Sequence, residues 1–121
     1  MNKSAVGKER EEEARAYLRS RGVRILDVNY RIRTGEIDVI GLDEEDLVFF
    51  EVKYRKSAEK GMAAEAVDVH KQYRICRVSD HYVLVHDVSP ERQIRYDVVA
   101  MDGEEITWIK NAFDYLPKRS K

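Results

Sequence analysis

Two carboxylates and an amine at hairpin spacing carry the chemistry of this chain. Asp38 closes the run Gly35-Glu36-Ile37-Asp38, and after twelve intervening residues Glu51-Val52-Lys53 supplies the rest. An Asp, a Glu and a Lys brought together across a hairpin are what metal-assisted phosphodiester cleavage needs. The oxygens hold a hard divalent cation, and the amine meets charge developing on phosphate. Residues two apart in a strand face the same side, so Glu36 shares a face with Asp38 and Glu51 shares one with Lys53. The remaining faces, Ile37-Val39 and Phe50-Val52, are apolar and are expected to pack on the core. If the acidic turn Asp43-Glu44-Glu45-Asp46 sets the register, Asp38 falls beside Glu51 or its neighbour. Three acids and an ammonium then gather at one end of a sheet. Like charges so close repel, and a partly buried carboxylate loses hydration. Lys53 offsets one charge, and a bound cation offsets the rest. Hard oxygen donors, with no thiolate and no convergent His pair, favour Mg²⁺ or Mn²⁺ over zinc. The bland alternative is a surface hairpin with a simple Glu–Lys pair, which explains Glu-x-Lys alone but fits less well beside Gly-Glu-Ile-Asp.

The elements that must position these groups are legible from periodicity. Residues 4 to 20 read as a helix ending near Gly22. Gly7, Glu11, Ala14 and Leu18 fall on one stripe of it, with Tyr17 alongside, which sets Glu11 at the border of the buried face. Strands are expected over Val23–Arg31, Glu36–Leu42, Leu47–Tyr54, Ile94–Met101 and Ile106–Ile109, with a polar loop over Lys56–Gly61 and a turn at Pro90. A second helix starts after Asp68 as N-cap and runs into the 80s, although Tyr82-Val83-Leu84-Val85 reads equally as a strand. Lys71 shares its stripe with Ile75, Val78 and Tyr82, so its ammonium either snorkels out or faces an anion. The order is α-β-β-β-α-β-β, an α/β domain with a mixed central sheet flanked by helices.

A chain of 121 residues, 43% hydrophobic and 37% charged, fits one globular domain over 1–121, with 1–3 and 117–121 expected loose. No apolar run approaches membrane-spanning length, and the start lacks a signal-peptide stretch, so a cytoplasmic protein is expected. Cys76 is the sole cysteine, which excludes disulfides and cysteine-rich zinc sites and suits a small core residue. The net charge of −1 hides a segregation: residues 1–34 hold nine bases against five acids, and 36–51 hold seven acids and no base. That pattern argues against coating nucleic acid by bulk charge, yet it suits an acidic centre flanked by phosphate-gripping bases. His70, His81 and His86 have no ligand spacing. Asp97, an acid in an apolar strand, is expected to bond a loop or an arginine. Trp108 and Phe113 are expected to close the sheet's far side. Tyr54 and Tyr73 could stack on unpaired bases, though packing is the commoner use of such aromatics.

Gly35-Glu36-Ile37-Asp38, Glu51-Val52-Lys53-Tyr54-Arg55, Glu65-Ala66-Val67, Lys71-Gln72, Arg95-Tyr96-Asp97-Val98-Val99 and Asn111-Ala112-Phe113 together resemble the YraN-type family of small bacterial proteins, described as uncharacterised or as candidate endonucleases. More distantly, Asp-x12-Glu-x-Lys resembles the PD-(D/E)XK nuclease superfamily, with the archaeal Holliday-junction resolvases as nearest analogue. The resemblance implies a restriction-endonuclease-like fold. It matches Asp38 and Glu51 to metal ligands, Lys53 to the catalytic lysine and Glu11 to the acid of the first helix. Gln72 falls where several superfamily members keep a helix Gln or Lys near the scissile phosphate. Arg10 stands where the family usually has Gly, which leaves Glu12 as the alternative to Glu11; the helix stripe favours Glu11.

Taken together, the expectation is a metal-dependent endonuclease of DNA, of branched or damaged structures if the resolvase likeness extends to substrate. Asp38, Glu51 and the Val52 carbonyl hold Mg²⁺ or Mn²⁺, with Glu11 as a further ligand or a water-orienting group. Lys53 positions the attacking water and stabilises the oxyanion, with proton abstraction as the open alternative. Arg31, Arg33, Arg55, Lys56, Lys71 and Arg74 grip the nucleic acid. Resolvases are two-fold dimers, so a homodimer is the implied assembly. The rival is a nucleic-acid-binding or partner-binding protein that kept the fold without turnover.

Overall fold

The computed structural model describes residues 5–55 and 67–120. Helix α1 (Ala5–Ser20) leads into three consecutive strands, β1 (Arg24–Ile32), β2 (Gly35–Asp43) and β3 (Asp46–Arg55). Helix α2 (Val69–Val85) follows, and then β4 (Ile94–Asp102) and β5 (Glu105–Ile109). The five strands form one sheet in chain order. β3 and β4 are parallel and the other pairs are antiparallel. Parallel neighbours cannot be joined by a tight turn, and α2 lies on the crossover between them. This is the mixed α/β architecture and element order expected above. The loop over Lys56–Gly61, the Glu65-Ala66 pair and residues 1–3 lie outside the described residues.

Local chemistry sets the helix ends. α1 closes with Gly22 at φ +93°, where the Gly22 and Val23 amides donate to the Arg19 and Leu18 carbonyls, each at 3.0 Å. That pattern is a Schellman closure, and its usual apolar contact is present because Leu18 and Val23 are buried in one cluster. α2 begins at Asp68, whose carboxylate accepts the Lys71 amide at 2.9 Å. The Tyr82–Val85 segment stays helical because Ile75, Val78 and Tyr82 form a buried stripe on the sheet.

Each face of the sheet has its own core. Toward α1, Ala14 and Leu18 meet Val39, Val48, Phe50, Val99 and Met101. Toward α2, Ile75, Cys76, Val78 and Tyr82 meet Ile37, Ile40, Phe49 and Tyr96. Two expectations fail here. Ile37 and Val39 do not share a face, since Ile37 packs in the α2-side core and Val39 in the α1-side core. Alternation breaks between them, at Asp38, and the β2–β3 pairing ends at Val39 opposite Phe50. Trp108 and Phe113 also take opposite faces. Trp108 sits against Phe50 on the α1 side, whereas Phe113 stacks on Tyr96 on the α2 side. The chain wraps the edge of β5 between them, through Asn111 at φ +54°.

Asp97 pins that wrap. Fully buried, it accepts from Arg95 at 2.6 and 3.3 Å, from the Trp108 indole at 2.9 Å and from the Asn111 amide at 2.8 Å. Arg95 also reaches Asp43 and Asp46 across the sheet, and the Asp97 bond pushes its guanidinium even further above the ordinary range. The tail beyond 117, expected loose, keeps contact with α2 as far as Arg119, whose amide donates to the Tyr73 hydroxyl.

Gly41 lies opposite a register shift in β1. A Cβ there would stand 2.9 Å from both the Arg24 carbonyl oxygen and a Val23 methyl. Gly41→Ala is therefore expected to lose about 2 kcal/mol in urea unfolding, seen as a lower midpoint with an unchanged slope; an unchanged midpoint would contradict this close approach.

Candidate functional site

Where β2 leaves β3, side chains replace the ladder. The last paired residues are Val39 and Phe50, and one step further along that register stand Asp38 and Glu51. Asp38 turns its carboxylate onto the neighbouring strand, and its Oδ2 accepts the Val52 amide at 2.8 Å. An amide at the end of a pairing needs an acceptor, and Asp38 supplies it. Glu51 faces α2 and is 4% exposed. Val52 packs its side chain on the α1-side core, so Glu51 and Lys53 share the α2 face, as alternation requires.

Such a carboxylate loses several kcal/mol of hydration and needs positive charge close by. Among the described residues, two ammonium groups reach it. Lys53 Nζ is 3.7 Å from Glu51 Oε2, and Lys71 Nζ is nearer, at 3.0 Å. The α2 stripe thus aims Lys71 at an anion. Gln72, beside it, donates its side-chain amide to the Val67 carbonyl at 3.0 Å and so braces the entrance to the helix.

The remaining sequence-derived residues distribute around this centre. Glu11 is half-buried on α1, one turn before Ala14, and α1 covers the opposite face of the sheet from α2. Glu36 is drawn toward β1 by Arg31 at 3.4 Å. Among the described residues no three of His, Cys, Asp and Glu converge in the manner of a metal site. Asp38 and Glu51 stand just past the last β2–β3 pair, on adjacent strands. Arg31 and Arg33 are exposed at the β1–β2 turn, and Arg74 is exposed on α2. A Cβ at Gly35 would stand 3.7 Å from that of Arg74, so this turn and α2 adjoin. Arg55 ends β3, while Lys56 lies outside the described residues.

The aromatics have structural partners. Arg10 lies over the Tyr54 ring at 4.6 Å, and Arg77 and Arg119 lie over Tyr73 at 4.6 and 4.1 Å. His81 bonds the Tyr30 hydroxyl and His86 stacks on Tyr82. Cys76 is buried, which pushes its thiol above the ordinary range. What sequence reasoning underweighted is Lys71. The signal was there: a lysine on an apolar helix stripe faces either water or an anion.

The donor set fits a hard divalent cation. Mg²⁺ keeps several waters and is commonly held by one or two carboxylates together with substrate phosphate, so a third acid is not required.

Comparison with known proteins extends over most of the chain. The family model described as "Uncharacterised protein family UPF0102" matches residues 10–101. A UPF0102 protein of Lachnoclostridium phytofermentans is 47% identical, over 94% of this chain and 97% of its own. UPF0102 proteins of Dechloromonas aromatica and Persephonella marina are each 40% identical, over 91% and 89% of this chain and 89% and 92% of theirs. Among solved structures, a repair endonuclease from Pyrococcus abyssi overlaps with a TM-score of 0.43 and 22% identity, covering 84% of this chain and 39% of that one.

The Asp38–Val52 bond predicts a separable structural effect. Asp38→Ala strands the Val52 amide and is expected to lose about 1 kcal/mol by urea unfolding, whereas Asp38→Asn, which keeps an acceptor oxygen, loses clearly less. Equal losses from the two variants would contradict the role of that bond.

Proposed function

The chain belongs to the uncharacterised protein family UPF0102, the family to which its motifs pointed, and we propose that it is a divalent-metal-dependent nuclease acting on DNA. The observation that carries this reading is the parting of β2 and β3 at Asp38 and Glu51, with the Lys53 amine beside the buried Glu51.

In this reading Asp38 and Glu51 hold Mg²⁺ or Mn²⁺, with the Val52 carbonyl as a further oxygen. When bound, the cation supplies Lewis-acid stabilisation of phosphate charge and a more acidic water. Asp38 is oriented for its part by the Val52 amide, which fixes its carboxylate against β3. Lys53 sits on the face of Glu51 with its Nζ 3.7 Å away, close enough to steer an attacking water and to meet the charge that grows on the nonbridging phosphate oxygens. The exposed Arg31, Arg33 and Arg74, with Arg55 at the end of β3, supply phosphate contacts that fix the strand without reading sequence. Glu11, carried by α1 on the opposite face of the sheet from Glu51 and Lys53, is not assigned to this cation. Branched or damaged DNA is the substrate class carried over from the resemblance.

The test is cleavage of single-stranded, duplex, flap and four-way-junction DNA, and of RNA, with Mg²⁺ or Mn²⁺. The expected result is EDTA-sensitive cleavage of DNA that falls at least about 100-fold in Asp38→Ala, Glu51→Ala and Lys53→Met. Cleavage that persists undiminished in Asp38→Ala and Glu51→Ala, or binding of DNA without cleavage under either metal, would overturn the proposal.

A further inference from the structure

Lys71 occupies an unfavourable position for a cation. It lies three residues after the N-cap Asp68, in the first turn of α2, where the helix dipole presents its positive end. Its stripe neighbours Ile75, Val78 and Tyr82 are buried against the sheet, so the side chain leaves α2 on the face that covers the sheet. The compensation is Glu51, at 3.0 Å, nearer than the strand lysine at 3.7 Å. Yet the Lys71 side chain retains 37% exposure while Glu51 retains 5%, so the ammonium approaches the carboxylate from the wet side on a long flexible stem. Glu51 is fixed, and Lys71 is the partner able to leave.

We propose that Lys71 is a built-in counter-ion that stands in for the divalent cation at Glu51 and is displaced from the carboxylate when the cation binds. This inference rests on the metal-dependent reading of Asp38 and Glu51 given above. Two positive groups competing for one buried carboxylate raise each other's free energy. The Lys71 ammonium therefore weakens cation binding while it neutralises Glu51 in the cation's absence. The same pairing keeps the acid from destabilising the middle of β3 before metal arrives. Lys71 acts through Glu51 and is thus a positioning residue.

The test is calorimetric titration of Mn²⁺ into the full chain at constant pH and ionic strength. Removing the competitor should make binding tighter, which a merely structural lysine would not do. Lys71→Met is expected to bind Mn²⁺ at least about tenfold more tightly than the wild type. Lys71→Arg, which keeps the charge, should stay within about threefold. Lys53→Met should gain less than Lys71→Met, following the longer distance, and Glu51→Gln should abolish the gain when combined with Lys71→Met. Thermal unfolding with and without Mn²⁺ gives a second readout: Lys71→Met should be less stable than wild type without metal and more strongly stabilised by it. Lys71→Gln serves the same comparison if the Met variant does not fold. Glu51-dependent Mn²⁺ binding that is unchanged or weaker in Lys71→Met, or a gain in Lys53→Met as large, would overturn the counter-ion role and leave the metal site standing. Absence of Glu51-dependent binding in both wild type and Lys71→Met would overturn both.

Discussion

A carboxylate held almost out of water must be matched by positive charge, and Glu51 is that carboxylate. Burial of an unmatched charge costs more than most single contacts in a domain of this size return. Everything around Glu51 answers to that constraint. The strand face gives it Lys53, the crossover helix gives it Lys71, and α2 must keep a lysine in a first turn where the dipole disfavours one. A core built for stability alone would put an apolar side chain here, on the same face as Phe49. Retaining the acid makes sense if its charge is used.

The second constraint is the opening between β2 and β3. A continuous ladder would satisfy the Val52 amide by backbone and leave Asp38 without that role. Instead β2 turns with β1, Ile37 joins the opposite core from Val39, and Asp38 spans the gap to the Val52 amide. The sheet stays anchored at its other end by the Asp97–Arg95 group, which ties β4 to the β2–β3 turn through Asp43 and Asp46 and to the end of β5 through Trp108 and Asn111. One end of the sheet is thus clamped by ion pairs while the other is left to part.

Much of this was legible in the sequence. The element order follows from periodicity and from stop signals such as Gly22 and Asp68, because a Schellman closure and an N-cap depend on residues a few positions apart. The role of Asp97 was readable as an acid that must find an arginine or a loop, since a polar group in an apolar strand has few alternatives. Alternation failed at Asp38 because it assumes a strand paired along its whole length. Pairing with β3 stops there, and Asn29 across from it in β1 has positive φ, irregularities that a two-residue period does not register. Trp108 and Phe113 were assigned one side because a linear reading does not reveal the wrap around the edge of β5, which depends on Asn111 adopting positive φ and on its amide donating a hydrogen bond to Asp97, fourteen residues away. That Lys71 reaches Glu51 while Gln72 turns to the Val67 carbonyl likewise depends on how α2 sits on the sheet, a tertiary quantity.

The central claim is that Asp38 and Glu51 together hold one hard cation. Its most direct test is a crystal of the protein grown with Mn²⁺, with anomalous diffraction recorded above the manganese edge. The account predicts one strong peak within about 2.5 Å of a carboxylate oxygen from each of Asp38 and Glu51. A manganese peak elsewhere, or none at saturating Mn²⁺ with both carboxylates ordered, would contradict it.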